Sequence, residues 1–236
     1  MQLFNGAMFL YENKNKTMKI VAFLMTAGLA GLAGIDGKAQ TARAYPLKEL
    51  LAQKKLDSYA KTLVPLDEDG KQGVACAGIA WLKDVRFSTG AIEIDLKGRD
   101  VFQKSFLGIV FHGVDTSRYD IVYFRPFNFR TPDSVRRIHA VQYCSAPEFG
   151  WERLRKERNA RFEKAIDPPP APEEWFHARI EVDGEGMVRV YVNHARTPSL
   201  VVHKLNNRKD GWVGIWSSSQ DAGDTPGRFA NLAITR

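Results

Sequence analysis

The sequence predicts an all-β protein, a two-sheet antiparallel β-sandwich (jelly roll) with a short surface helix inserted. Three observations lead there. Roughly ten to twelve stretches alternate apolar and polar residues with a period of two, the mark of strands with one buried face. Turn signals such as Asp67 to Gly70 and Gly184 to Gly186 separate them. Helical spacing is confined to two short segments, and no internal repeat interrupts the pattern.

Taken in order, Leu47, Leu50 and Leu51 recur at helical spacing behind Pro46, which suits a first helical turn. Thr62 to Leu66 reads as a strand, and Val74 to Leu82 as the next, carrying Cys76 and Trp81. In Ala91 to Leu96, Ile92, Ile94 and Leu96 oppose Glu93 and Asp95. The centre of the chain is Phe106 to Phe129 (FLGIVFHGVDTSRYDIVYFRPFNF), two alternating stretches around the polar turn Gly113 to Arg118. Ile138 to Cys144 continues the alternation. Ile138, Ala140, Gln142 and Cys144 are expected to face inward; His139, Val141 and Tyr143 outward. Pro147 opens a helical candidate, Glu148 to Arg158, with Trp151, Leu154 and Arg158 along one stripe. Asp167 to Pro172 is a stiff polyproline-like connector. Phe176 to Val182 and Val188 to Val192 form a hairpin with a solvated outer face. Leu200 to Leu205, Gly211 to Ser217 and Arg228 to Ile234 supply three further strands.

The N-terminus has its own logic. Lys14, Lys16 and Lys19 precede an apolar stretch from Ile20 to Ala33, followed by small residues up to Ala39. Basic head, short apolar middle and small-residue exit describe a secretory signal peptide, with an uncleaved anchor as the alternative. Met18 can serve as the start. The chain thus divides into a leader (1–39), a lead-in (40–60) and a sandwich domain (61–236), in a secreted or periplasmic protein with no later membrane span. Cys76 and Cys144 are the two cysteines. In an oxidising compartment a bridge would close a 68-residue loop, stabilising by about 4 kcal/mol on the chain-entropy account. Equally, each can pack as a small buried thiol.

The formal charge is +7, of which the leader carries two. That excess is modest and lacks a long lysine run, so nucleic acid is not an expected partner. A basic strip of Arg153, Arg155, Lys156, Arg158 and Arg161 would attract an acidic glycan, or simply be a solvated helix face. No phosphate loop, zinc spacing or serine elbow occurs, and no cofactor or metal site is implied. Asp221 and Asp224 in a Gly-containing loop suit calcium or, more simply, turn chemistry.

Parity on the central strands points to one functional face. If Leu107, Ile109, Phe111, Val122 and Phe124 fill the core, then His112, Tyr123 and Arg125 emerge together on the opposite side, joined by His139 and Tyr143. Asn128 and Trp151 are placed to rim such a surface. Aromatic rings stack on the apolar faces of sugars, an arginine fork meets carboxylate or sulfate, and histidine exchanges protons near neutral pH. The bland alternative is that these groups decorate an outer face and pair among themselves.

The C-terminal third resembles the concanavalin A-like lectin and glucanase superfamily, including its laminin-G-like members. Trp175 to Val182 (WFHARIEV) is similar to a family strand following a tryptophan, and Val188 to Asn193 (VRVYVN) to its hairpin partner. Gly211 to Trp216 (GWVGIW) and Gly227 to Ile234 (GRFANLAI) resemble the closing pair, and Thr89 to Asp95 (TGAIEID) an early strand. The resemblance implies two sheets, one of them curved into a glycan-binding groove. It extends toward the secreted 3-keto-disaccharide hydrolase domains, whose Asn-Ser-Gly stretch is absent here. Glu93 and Asp95 stand about 7 Å apart on one strand face, but Gly98 occupies the place of the second catalytic glutamate of the laminarinase-type motif. The expectation is therefore a polysaccharide- or oligosaccharide-binding domain. The alternatives are a glycoside hydrolase or polysaccharide lyase, and a structural cell-envelope protein.

Overall fold

The computed structural model describes residues 41–218 and 226–236. The leader, with its signal-peptide reading, and Asp221 and Asp224, with their calcium-or-turn alternative, lie outside the described residues. The elements run β1 (Arg43–Tyr45), α1 (Leu47–Ala52), β2 (Leu56–Glu68), β3 (Lys71–Phe87), β4 (Gly90–Lys97), β5 (Phe106–Gly113) and β6 (Tyr119–Phe124). A 3-10 turn (Pro126–Asn128) and α2 (Ser134–Arg137) lead to β7 (Val141–Ala146), α3 (Trp151–Glu157) and β8 (Glu163–Lys164). The chain ends with β9 (Phe176–Val182), β10 (Met187–Val192), β11 (Leu200–His203), β12 (Gly211–Ser218) and β13 (Gly227–Thr235). Among the described residues no helix is long and apolar enough to cross a membrane.

All described pairings are antiparallel, in the order β11-β10-β9-β4-β13-β3-β12-β5-β6-β7-β8, with β1 on β13 and β2 on β3. The long strand β3 joins the two layers. It pairs with β13 through residues 73–76 and with β12 through residues 78–87. The change of partner falls at Gly78, whose φ is +123° and whose missing Cβ would sit 2.5 Å from Ala60 Cα on β2. Only glycine fits both conditions.

The core between the layers follows the alternation read from the sequence. Phe176, Ala178, Ile180 and Val182 of β9 face Val188, Val190 and Val192 of β10 on the buried side, and Leu107, Ile109, Phe111, Val122 and Phe124 join them. Rings of Phe124, Phe129 and Phe176 meet edge to face. Leu47 anchors α1 on the same core. Two elements depart from expectation. The strand expected from Ile138 begins only at Val141, because residues 138–140 complete the turn after α2. The expected helix from Glu148 shortens to Trp151–Glu157. The thiols are free and separately buried, Cys76 between the layers and Cys144 on the opposite face of its strand, so the packing alternative holds and the bridge does not form. Burial pushes both thiols up to about 12.

Candidate functional site

On the outer face of the layer formed by β12, β5, β6, β7 and β8, strand register lines up Trp216, Gly108, Tyr123, Gln142 and Glu163 as successive neighbours. This row crosses five strands. Because Gly108 carries no side chain, the rings of Tyr123 and Trp216 meet over it, with centroids 5.6 Å apart and planes at 64°. Phe106 leans on Tyr123 from the edge of the row at 6.3 Å.

A cavity of about 370 Å³ lies over this row. Its floor is Tyr119, Ile121, Tyr123, Cys144 and Trp216, so most of its wall is ring and hydrocarbon. One side is built by the loop after β6 and by α2. Asp133 caps α2 through Val135 N and Arg136 N, which points Arg136 back to donate to Phe127 O (3.0 Å) and Asn128 Oδ1 (3.3 Å). Its guanidinium rides over the Phe102 ring at 4.3 Å. The other side is α3, whose Trp151 is 41% exposed and lies under the Arg155 guanidinium at 5.1 Å.

The polar wall is organised by Arg125 and Glu163. Arg125 is 4% exposed and spends its donors on the protein. Nη1 donates to His139 O (2.8 Å), while Nη2 donates to Tyr123 OH (2.6 Å) and to Gln142 Oε1. Tyr123 OH in turn donates to Gln142 Oε1 at 2.7 Å. Glu163, 2% exposed, receives Arg155 through Nε (3.4 Å) and Nη2 (3.2 Å), lies 3.6 Å from Arg125 Nη1, and lies 2.7 Å from His139 Nδ1. Burial lowers the His139 pKa, outweighing the upward pull of Glu163. Burial thereby favours the neutral imidazole. Burial pushes the Tyr123 phenol far up, so it stays protonated as a donor.

Five of the seven sequence-selected residues meet here: Tyr123, Arg125, Asn128, His139 and Trp151 all line the cavity. Arg125 and Asn128 are wall rather than free hands, since Asn128 is 4% exposed and its Oδ1 accepts from Arg136. His112 and Tyr143 are elsewhere, which corrects the expectation of one shared face. His112 takes a φ of +49° beside the irregular β5–β12 register, and this turns its ring between the layers. There Nε2 meets Ser88 O at 2.8 Å and Nδ1 accepts from Lys204 Nζ at 2.6 Å. Tyr143 is fully buried on the core side and donates to Asp120 Oδ1 at 2.8 Å. Its strand alternates as expected, but Gln142 and Cys144 take the groove side.

Glu93 and Asp95 stand on β4, away from the groove, and are taken up by pairing, Asp95 buried and Glu93 half-buried. Asp95 accepts from Lys71 Nζ (2.7 Å) and Asn231 Nδ2 (2.8 Å) and meets His177 Nδ1 (2.9 Å), while Glu93 holds Arg179 at 2.6 Å. Burial alone would raise the Asp95 carboxyl; these hydrogen bonds prevail and hold it well below the usual range. Among the described residues no group of three or more His, Cys, Asp or Glu is placed to hold a metal.

Sequence reasoning missed Trp216, Gln142, Arg136, Phe127 and Glu163 as site residues. Trp216 had a signal in its alternation with the core residues Val213 and Ile215, but Glu163 sits in a two-residue strand that no pattern marks.

No family model matches the chain, and no curated protein matches it in sequence. Among solved structures it is similar to the carbohydrate-binding module CBM66 from Bacillus subtilis, with a TM-score of 0.50, 13% identity, and 75% of this chain and 93% of that one covered. It is also similar to a protein of unknown function with a galectin-like fold from Bacillus subtilis (TM-score 0.54, 12% identity, 82% and 94% covered). A third likeness is to a native glycosidic hydrolase (TM-score 0.50, 11% identity, 84% and 96% covered). At such identities the likeness speaks to fold. That fold is an all-β jelly roll, as the alternation of the strands predicts.

Proposed function

We propose that this protein binds carbohydrate in the groove over β12, β5, β6 and β7. The observation that carries the reading is the aromatic floor and rim, Phe106, Tyr123, Phe127, Trp151 and Trp216, around a cavity of about 370 Å³ that also receives Arg136, His139 and Arg155. Rings offer flat apolar faces for the C–H faces of a sugar, and the cationic and imidazole groups offer donors for its oxygens. Two similar structures, a carbohydrate-binding module and a glycosidic hydrolase, support a glycan as ligand. The leader's pattern supports a secreted or periplasmic location. The deciding experiment is a screen of soluble polysaccharides by calorimetry, with Trp216→Ala as the control. Binding heat with wild type and its loss in the variant supports the reading, and absence of binding to any polysaccharide overturns it.

A second reading, cleavage of the bound glycan, rests on His139. Its Nδ1 lies 2.7 Å from Glu163 and its ring borders the cavity, as suits an oriented proton acceptor. Hydrolysis by two opposed carboxylates is not favoured, since among the described residues no Asp or Glu lines the cavity. If cleavage occurs, His139→Ala abolishes product release while affinity persists. Binding without product in the wild type removes this second reading and leaves the first.

A further inference from the structure

Several cations on and around β4, β9 and β13 are matched to acids. Lys71 meets Asp95, Lys97 meets Glu68 and Asp69, Arg179 meets Glu93 and Glu181, and Arg228 meets Glu68. Around α3 the matching thins, although Arg153 meets Glu157 along the helix. In the groove, Arg125 and Arg155 share the single carboxylate of Glu163, and Arg136 has no ion pair among the described residues. Three residues beyond Arg155, at the C-cap of α3, Arg158 faces a second cleft of about 570 Å³ with Arg161, Phe162, Lys164 and His203. Among the described residues none of Arg158, Arg161 and Lys164 has a carboxylate within ion-pair distance. Arg158 instead lies over the Phe149 and Phe162 rings at 5.3 and 5.8 Å. Arg155 lines the groove and Arg158 lines the second cleft, and three Cα–Cα steps of 3.8 Å keep their backbones within about 11 Å of each other, so the end of α3 borders both concavities.

We infer that this second cleft is a subsite for the anionic groups of a long acidic glycan whose neighbouring units occupy the groove. The inference rests on the carbohydrate reading and adds to it the ligand's charge and length. Unpaired guanidinium groups present forked donors matched to a uronate carboxylate or a sulfate ester. Phe162 supplies a ring to the cleft lining, beneath Arg158. Positive potential over two adjoining concavities favours a polymer with regularly spaced charges over a neutral one.

The test uses the full chain and six probes: a hexamer and a dimer of polygalacturonate, a hexamer and a dimer of a sulfated galactan, a neutral glucan hexamer and a single-stranded RNA of matching length. Against them stand wild type, the triple variant Arg158→Gln/Arg161→Gln/Lys164→Gln, and a charge-keeping variant Arg158→Lys/Arg161→Lys. One acidic hexamer is expected to bind at least tenfold tighter than the neutral one, with affinity falling as salt rises. Whether uronate or sulfate leads identifies the anion. The triple variant is expected to lose at least tenfold on that hexamer and less than twofold on a dimer of the same chemistry, and the lysine variant to retain most of the affinity. Equal loss on dimer and hexamer, or no loss on either, overturns the second subsite. Neutral glycan bound as tightly as acidic overturns the inference while leaving the carbohydrate reading intact, whereas no glycan bound at all removes both. A single-stranded RNA of matching length binding as tightly as the acidic hexamer also overturns it, by making the surface a general polyanion site.

Discussion

Tyr123 and Trp216 face each other across Gly108, their ring centroids 5.6 Å apart, and the groove floor exists because the strand between them carries no side chain. A Cβ on Gly108 would fall 2.1 Å from Val122 O and 2.8 Å from Tyr123 Cβ. Gly108→Ala is therefore expected to force the β5–β6 pair apart and cost about 1–3 kcal/mol, the usual range for overpacking. Urea unfolding measures this, and an unchanged midpoint would contradict the close approach.

The same pair sets the expectation for binding. Trp216→Ala removes a ring that is half-buried and turned to the cavity, leaving the strand hydrogen bonds in place. Affinity for the glycan found by the screen should fall about tenfold or more, equivalent to ~1.4 kcal/mol. Trp216→Phe should recover much of it, since a ring face remains. Calorimetry on both variants separates stacking from general loss of fold.

His139 offers a pH reading. Burial holds its pKa below the ordinary value of about 6.5. The folded chain thus binds fewer protons here than the unfolded one. This contribution to stability is full above the unfolded pKa and is lost as pH falls from about 6.5 toward the folded pKa. Imidazole resonances followed by NMR should titrate with a midpoint below about 6.5. Glu163→Gln should lower that midpoint further, because the carboxylate 2.7 Å from Nδ1 favours the protonated ring. A midpoint that rises in this variant would show that Glu163 does not act on His139.

Much of this was legible because β strands write their burial as alternation. Ile180 and Val190 announced the core, and Tyr123 announced the groove. The failures have physical causes. His112 shares parity with Val110, but a left-handed φ of +49° takes it out of the pleat, and one residue of irregular register is invisible to a period-two argument. For Tyr143 the parity held and the choice of side did not. A phenol looks like an outward group until a buried acceptor is known, and that acceptor, Asp120, lies on a different strand. His139 reached the groove by another route than the one expected. It lies in the turn before β7, held where Arg125 Nη1 donates to its carbonyl. Glu163 depended on long-range closure of the sheet edge, which no local pattern encodes.

Asp120 is itself the centre of a buried polar group on the core side of β6. Its Oδ1 accepts from Tyr143 OH (2.8 Å), Arg208 Nη2 (3.2 Å) and Asn206 Nδ2, and its Oδ2 lies 3.4 Å from His112 Nδ1 and 3.5 Å from Lys204 Nζ. Burial alone would raise its carboxyl, but these hydrogen bonds and the two cations outweigh it and lower the pKa. Asp120→Ala leaves Lys204 and Arg208 without their acid in a desolvated place, and should cost about 3–5 kcal/mol. Because the folded pKa is depressed, the stabilisation is present above the unfolded value of about 3.9 and is lost as pH falls through the folded pKa. The stability gap between wild type and Asp120→Ala should therefore stay constant from neutral pH to about pH 5 and narrow below about pH 4. Chemical denaturation at a series of pH values measures that gap. A gap that holds steady into strong acid would mean that Asp120 contributes shape and not charge.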